Sequence, residues 1–424
     1  MSPRLAAVTT PEPSTLLSQS GTRPQTLRDD EFELLCAVAG TNLSASRRER
    51  VANCDFSTFE WGKFNALAEH HGVFPLAARK LIEIDAAETT PRLPAEIARS
   101  LQSAYETNLR RNLWFASELV RILQHYDSKQ LQAIPYKGPV LAQMAYGDLA
   151  LRRFSDLDLL IRPTDFERGK QALSEIGYHP SNELTAAVER FWLRKGNERV
   201  FDGPGGKHLL ELQWAILPHF YAVDSQVTDF HPNDLRVENL IRRARRSVLC
   251  ESEVPCLSAE DSLLVLCLHA AKHLWMRLIW LTDIAETLRS QSAGDPIDHS
   301  LVLSRAHALG IVRILAVSFW LVKNLLLDEI PAWAEEAISS DPRVPALGRE
   351  FAERLARSAA YDFESTEYFR LILRLRERPT DRACYLWRLL WTPGEGDLAA
   401  IHLPESLFPL YRLIRVGRLL KRGY

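Results

Sequence analysis

Residues 137–161 read KGPVLAQMAYGDLALRRFSDLDLLI, and this stretch decides the fold. Its end, Asp156-Leu-Asp-Leu-Leu-Ile161, alternates acidic and apolar residues before turning wholly apolar. A period of two predicts a strand, with Asp156 and Asp158 on one face and Leu157 and Leu159 on the other. Its beginning, Lys137-Gly138-Pro139, follows a short apolar run from Gln132 to Tyr136 that predicts another strand. Gly138 can cap, and Pro139 can open, a helix running through Tyr146, which Gly147-Asp148 ends.

Working outward, Pro163-Thr164-Asp165 starts a further helix that stops at Gly177. The segment Arg199-Val-Phe201, the turn Asp202-Gly-Pro-Gly-Gly206 and the run His208-Leu-Leu-Glu-Leu-Gln-Trp214 predict a hairpin, with Glu211 between two leucines. Residues 131–216 thus form a small α/β unit. On its N-terminal side Phe32, Leu34, Leu35 and Val38, then Phe64, Leu67 and Ala68, recur at helical spacing. On its C-terminal side Leu263, Leu266, Cys267 and Ala270 do the same. Further helices are predicted over 299–309, 311–327, 346–358, 366–377 and, amphipathic and basic, 407–424. The chain therefore divides into a disordered tail (1–28), an N-terminal helical region (29–127), an α/β core (128–232) and a C-terminal helical region (233–424).

The α/β unit is also where chemistry concentrates. Neighbouring carboxylates repel unless a cation neutralises them, and hard oxygens on a rigid strand suit Mg²⁺ or Mn²⁺. If the strand of Glu211 adjoins that of Asp156 and Asp158, three carboxylates converge, enough to hold two ions ~3.5–4 Å apart for phosphoryl-type transfer. A helix opening at Gly138 offers free N–H groups to phosphate, and Lys137 adds a mobile positive charge there. Arg152 and Arg153, just before the acidic strand, could contact a triphosphate or nearby carboxylates.

These residues resemble a known family. Ile134-Pro-Tyr-Lys-Gly138, Leu141, Tyr146, Arg152-Arg-Phe-Ser-Asp-Leu-Asp-Leu-Leu160 and Gly177-Tyr178 are similar to the uncharacterised bacterial nucleotidyltransferase family of the polymerase-beta-like superfamily. Weaker likenesses extend this, in Ala68-Glu-His-His-Gly-Val73 with Leu76, Leu210-Glu-Leu-Gln-Trp214, His269, His273, Leu281-Thr-Asp-Ile284, Leu403-Pro404 and Leu413-Ile-Arg415. The resemblance implies an α+β fold, a small mixed-sheet nucleotidyltransferase core flanked by N-terminal and C-terminal helical regions. It implies Asp156, Asp158 and Glu211 as catalytic metal ligands, with Lys137, Gly138, Arg152 and Ser155 at the nucleotide. The reaction implied is attack of an acceptor hydroxyl on the α-phosphate of a nucleoside triphosphate, releasing pyrophosphate. Two departures stand out: Lys-Gly where the wider superfamily has Gly-Ser, and Gln213 where the family often has histidine. The alternative is a non-catalytic nucleotide- or partner-binding protein on a degenerate nucleotidyltransferase fold.

His269 and His273 are four apart, one helical turn, with Lys272 between them. They are expected to be partly buried or hydrogen-bonded rather than metal ligands, or to line an acceptor cleft beside Lys272. Asp283 is expected to orient one of them or to act as a structural hydrogen bonder. His70 and His71 suit a helix end. Arg242, Arg243, Arg245 and Arg246 read as a solvated charge cluster. The C-terminal helix, with Arg412, Arg415, Arg418, Lys421 and Arg422, is expected to dock by its leucines, anchored by Phe408 and Tyr411, with its arginines in water. Peripheral attachment to anionic lipid is the less favoured reading.

Composition excludes several classes. Fifty-two basic against 54 acidic residues among 424 argue against a nucleic-acid-coating protein. The longest apolar stretch, Ile314–Val322, is far short of the ~20 residues of a membrane span. Six cysteines without a C-x-x-C pair, and no apolar signal core, fit a reduced cytoplasmic chain. Neither a P-loop nor a serine-hydrolase elbow occurs.

Overall fold

The computed structural model describes residues 29–422 apart from 57–58, 88–91, 207, 224–234, 291–295, 327–328, 359–361, 363–364 and 402. The expected tail, 1–28, lies outside the described residues. The fold is α+β, a mixed sheet set among helices. Its strands are β1 (Ala133–Pro135), β2 (Asp156–Ile161), β3 (His179–Pro180), β4 (Glu198–Asp202) and β5 (Leu209–Gln213). They lie in the order β1-β2-β5-β4-β3, with β2 and β5 parallel and the other pairs antiparallel. A separate hairpin pairs β6 (Arg245–Leu249) with β7 (Ser252–Cys256).

The alternation in β2 does what its period predicts. Leu157 and Leu159, with Leu210 and Leu212 of β5, join Phe115, Leu119 and Phe166 in one apolar core. The opposite face carries Asp156, Asp158 and Leu160, and Leu160 belongs to a second core made mainly of helices. That core gathers Phe32, Leu35 and Phe64 from the N-terminal side with Leu266, Leu281, Leu315 and Phe351 from the C-terminal side. Each leucine taken fully from water contributes roughly 1.5–3 kcal/mol, so both cores are substantial. The helical regions 29–127 and 233–424 thus share one interior, and Thr41 bonds Glu286 across it through its N–H at 2.8 Å.

The helix Ala95–Ser128 belongs to both cores. Leu101 lies in the helical core, whereas Phe115, Leu119 and Ile122 lie against the sheet. Between these halves Asn108 Nδ2 donates to the Ala150 carbonyl at 2.7 Å, and Asn112 Nδ2 donates to those of Leu149 and Arg152 at 2.5 and 2.7 Å. These two side chains hold the turn that leads into β2.

Four of the predicted helices stand nearly where periodicity put them, as His299–Leu309, Val312–Leu325, Val344–Ala356 and Thr366–Leu375. The polar stretch before Arg199 contains a helix that the sequence reading lacked, Ala186–Lys195, capped by Thr185. The C-terminal helix Tyr411–Arg422 departs in orientation. Phe408 and Tyr411 are buried as expected, but so is Arg415, 4% exposed, while Leu413 is 61% exposed. The cause is Asp397, wholly buried on the short helix Glu395–Ala400, which draws Arg415 and Arg418 inward as its counter-ions. Among the described residues no helix is long and apolar enough to cross a membrane.

Candidate active site

Parallel pairing of β2 with β5 sets Asp158 directly opposite Glu211, with Asp156 two residues back on the same face. β1 flanks β2 and delivers the chain into Lys137 and Gly138. Gly138 opens the helix Gly138–Leu141 with φ +56°, a left-handed conformation that glycine adopts freely. A Cβ there would lie 3.6 Å from the Asp156 carbonyl, so the glycine-led turn sits against the start of β2. That short helix continues into a π-helical turn, Ala142–Tyr146, closed by Gly147.

Asp158 does not face open water, whereas Asp156 and Glu211 are half-buried. Asp158 is 4% exposed, and Lys137 Nζ lies 2.7 Å from its Oδ1. Gln213 Nε2 donates to the same oxygen at 3.1 Å and to Glu211 Oε2 at 2.8 Å, so one amide bridges the two strands. Tyr136 fixes that amide, its hydroxyl donating to Gln213 Oε1 at 2.8 Å. In this arrangement Lys137 is thus the ion-pair partner of Asp158. Asp156 makes no ion pair among the described residues. Two cavities, about 320 Å³ beside β1 and the β6–β7 hairpin and about 380 Å³ near Trp214 and His219, do not include this face.

Charge crowding shows in proton affinity. Burial, then Asp158 and Glu198, push the Glu211 carboxyl up to about 8, against the pull of Lys137. Burial and Asp158 also raise Asp156, opposed by Lys137 and Arg152. For Lys137 burial works against the charge, but Asp158, Tyr136 and Glu211 outweigh it and hold the ammonium protonated. This is a surplus of negative charge that one lysine offsets only in part.

Arg152 is turned away from the position expected of it at the phosphates. It is 5% exposed, and its Nε and Nη2 pair with Asp283 Oδ1 and Oδ2 at 2.8 and 2.9 Å. Tyr146 donates to Asp283 Oδ1 as well, at 2.7 Å. Asp283 therefore orients neither His269 nor His273; it ties the loop before β2 to the helix Leu278–Ser290. Arg153 pairs with Glu69, and Ser155 is exposed at the entry to β2.

His269 and His273, on the helix Ala259–Lys272 and at its end, stand with ring centres 4.8 Å apart. Trp280 stacks on His273 at 4.9 Å and meets His269 edge-on at 5.5 Å. Burial first, then the nearby charge of Lys137 for His269 and of Lys272 and Lys137 for His273, lowers both imidazoles, His273 to about 3, so both are neutral near pH 7. Leu160, on the carboxylate face of β2, shares a core with Leu266 and Ala270 of this helix, which puts the helix on the carboxylate side of the sheet. Lys272 contributes its carbonyl to the hydroxyl of Tyr368 at 2.7 Å.

Among the described residues no three His, Cys, Asp or Glu side chains already form a metal-ligating group. The carboxylates share a face, but Lys137 and Gln213 hold Asp158, and Gln213 also holds Glu211. Sequence reading missed the grip of Asn108 and Asn112 on the loop ahead. Their signal was a polar pair four residues apart on the buried stripe of a long amphipathic helix.

A family model described as an uncharacterised nucleotidyltransferase matches residues 57–327. No curated protein sequence and no solved structure gives a significant match.

Proposed function

The chain belongs to the uncharacterised nucleotidyltransferase family, and from that premise we propose that it moves a nucleoside monophosphate from a nucleoside triphosphate to an acceptor hydroxyl, using Mg²⁺ or Mn²⁺ held by Asp156, Asp158 and Glu211. The observation that carries this reading is Asp158 opposite Glu211 on parallel strands, with Asp156 on the same face. Three carboxylates supply the hard oxygens Mg²⁺ takes, and a two-ion arrangement needs all of them. A bound ion would screen the triphosphate and make the acceptor hydroxyl more acidic.

The protein's own groups do the rest. The Gly138 backbone, free of a side chain, and the Lys137 ammonium would receive the phosphates. The acceptor hydroxyl would be activated mainly by the ion, with Asp158 or Glu211 assisting as base. Arg152 and Asp283 keep the loop before β2 in place, and Asn108 and Asn112 grip the same loop. The neutral His269 and His273 with Trp280 would form an uncharged wall for the acceptor.

The test is incubation with labelled nucleoside triphosphates, Mg²⁺ or Mn²⁺ and candidate acceptors, alongside Asp156→Ala. Wild-type labelling that the variant loses is the expected result; equal labelling would remove this mechanism. The Lys137–Asp158 pair favours a second reading, a binding protein without catalysis. Calorimetry selects it if nucleotide binds with the same affinity in chelator as in Mg²⁺.

A further inference from the structure

We propose that Lys137 is a built-in cation occupying half of the metal site. The free protein then takes one divalent ion, through Asp156. A second place, at Asp158 and Glu211, opens only when bound triphosphate draws Lys137 away. This rests on the metal-dependent reading above and adds how the site is loaded.

The two acidic positions of β2 are chemically unequal. Asp158 is buried, with an ammonium at 2.7 Å and the Gln213 amide at 3.1 Å on one oxygen. Asp156, one pleat away, makes no ion pair among the described residues. A dication cannot share the Asp158 oxygen with an ammonium, because like charges a few ångströms apart in a buried place repel strongly. The first ion therefore goes to the Asp156 side, and the second must displace Lys137. Gln213 reinforces this arrangement by tying Asp158 to Glu211, and among the described residues no ligand group is preformed.

Lys137 also has somewhere to go. It sits on a flexible four-carbon stem immediately before the Gly138 turn, where the helix begins. A triphosphate at that turn presents several negative charges to the ammonium and competes directly with Asp158. Loss of Lys137 from the carboxylates and arrival of phosphate are then one event. The reactive arrangement of ions therefore assembles only with nucleotide present.

The experiment counts Mn²⁺ bound per chain by electron paramagnetic resonance on the full-length protein. It is run with and without α,β-methylene ATP, a nucleotide that cannot transfer. Wild type should bind one ion alone and two with the analogue. Lys137→Met should bind two without the analogue, the second at least ~10-fold tighter than in wild type. Lys137→Gln, which keeps a hydrogen-bond donor for Asp158, gives the same readout if the methionine variant does not fold. Two ions on free wild type, or one ion on both variants, would overturn the inference and leave the catalytic reading standing. No Mn²⁺ bound by any form, with or without analogue, would overturn both.

Discussion

Asp156 and Asp158 are two residues apart on one strand face yet meet different surroundings, and stability should separate them. Replacing Asp158 by alanine leaves the Lys137 ammonium buried without its partner, which should cost about 3–5 kcal/mol. Asp156→Ala removes a crowded charge and no ion pair, so its unfolding free energy should stay within about 1 kcal/mol of wild type or rise. Urea titration in chelator measures both, while both variants lose labelling activity. Glu211 gives a pH prediction. Its folded carboxyl binds protons more tightly than the unfolded one, so its contribution to stability is full at low pH and is lost as pH rises toward about 8. In chelator, Glu211→Gln should melt above wild type at pH 8, with the gap closing toward pH 5. The pairing of carboxylates was legible because a period of two fixes which residues share a face. The destinations of Lys137 and Arg152 were not, since a long cationic side chain reaches several positions and sequence does not say which anion waits there.

Elements with strong periodicity and clear ends, such as His299–Leu309 with its Asp298 cap and Gly310 stop, could be read almost to the residue. Ala186–Lys195 escaped because one of the two residues it fully buries, beside Trp192, is the acid Glu189, which blurs its apolar face. The C-terminal helix shows how a buried acid overrides an apolar stripe. Removing that acid in Asp397→Ala should take the counter-ion from the buried Arg415 and destabilise the helix by about 3 kcal/mol, seen as earlier protease cleavage near its start. A second clasp joins elements distant in sequence. Asp283→Asn should weaken the hold of the helix Leu278–Ser290 on the Arg152 loop, lowering the melting temperature and labelling activity together. Arg153→Ala, at an exposed pair, should leave stability nearly unchanged.

For the whole molecule, order along the chain was legible and the partition of its interior was not. Periodicity reports which face of an element is apolar but not which distant segment covers it, so the helical regions on either side of the sheet could not be seen to share a core. Residues 128–232 expressed alone should therefore lack a cooperative thermal transition, since Tyr136, Leu141, Tyr146 and Leu160 would lose their cover; calorimetry checks this. The helix Ala95–Ser128 has 34 residues and so runs about 50 Å at 1.5 Å per residue. It is rooted in both interiors and bonded near its middle to the turn that launches β2. Such a rod is clamped where β2 begins, so a load on its far end would be resisted at the very turn that carries the carboxylates.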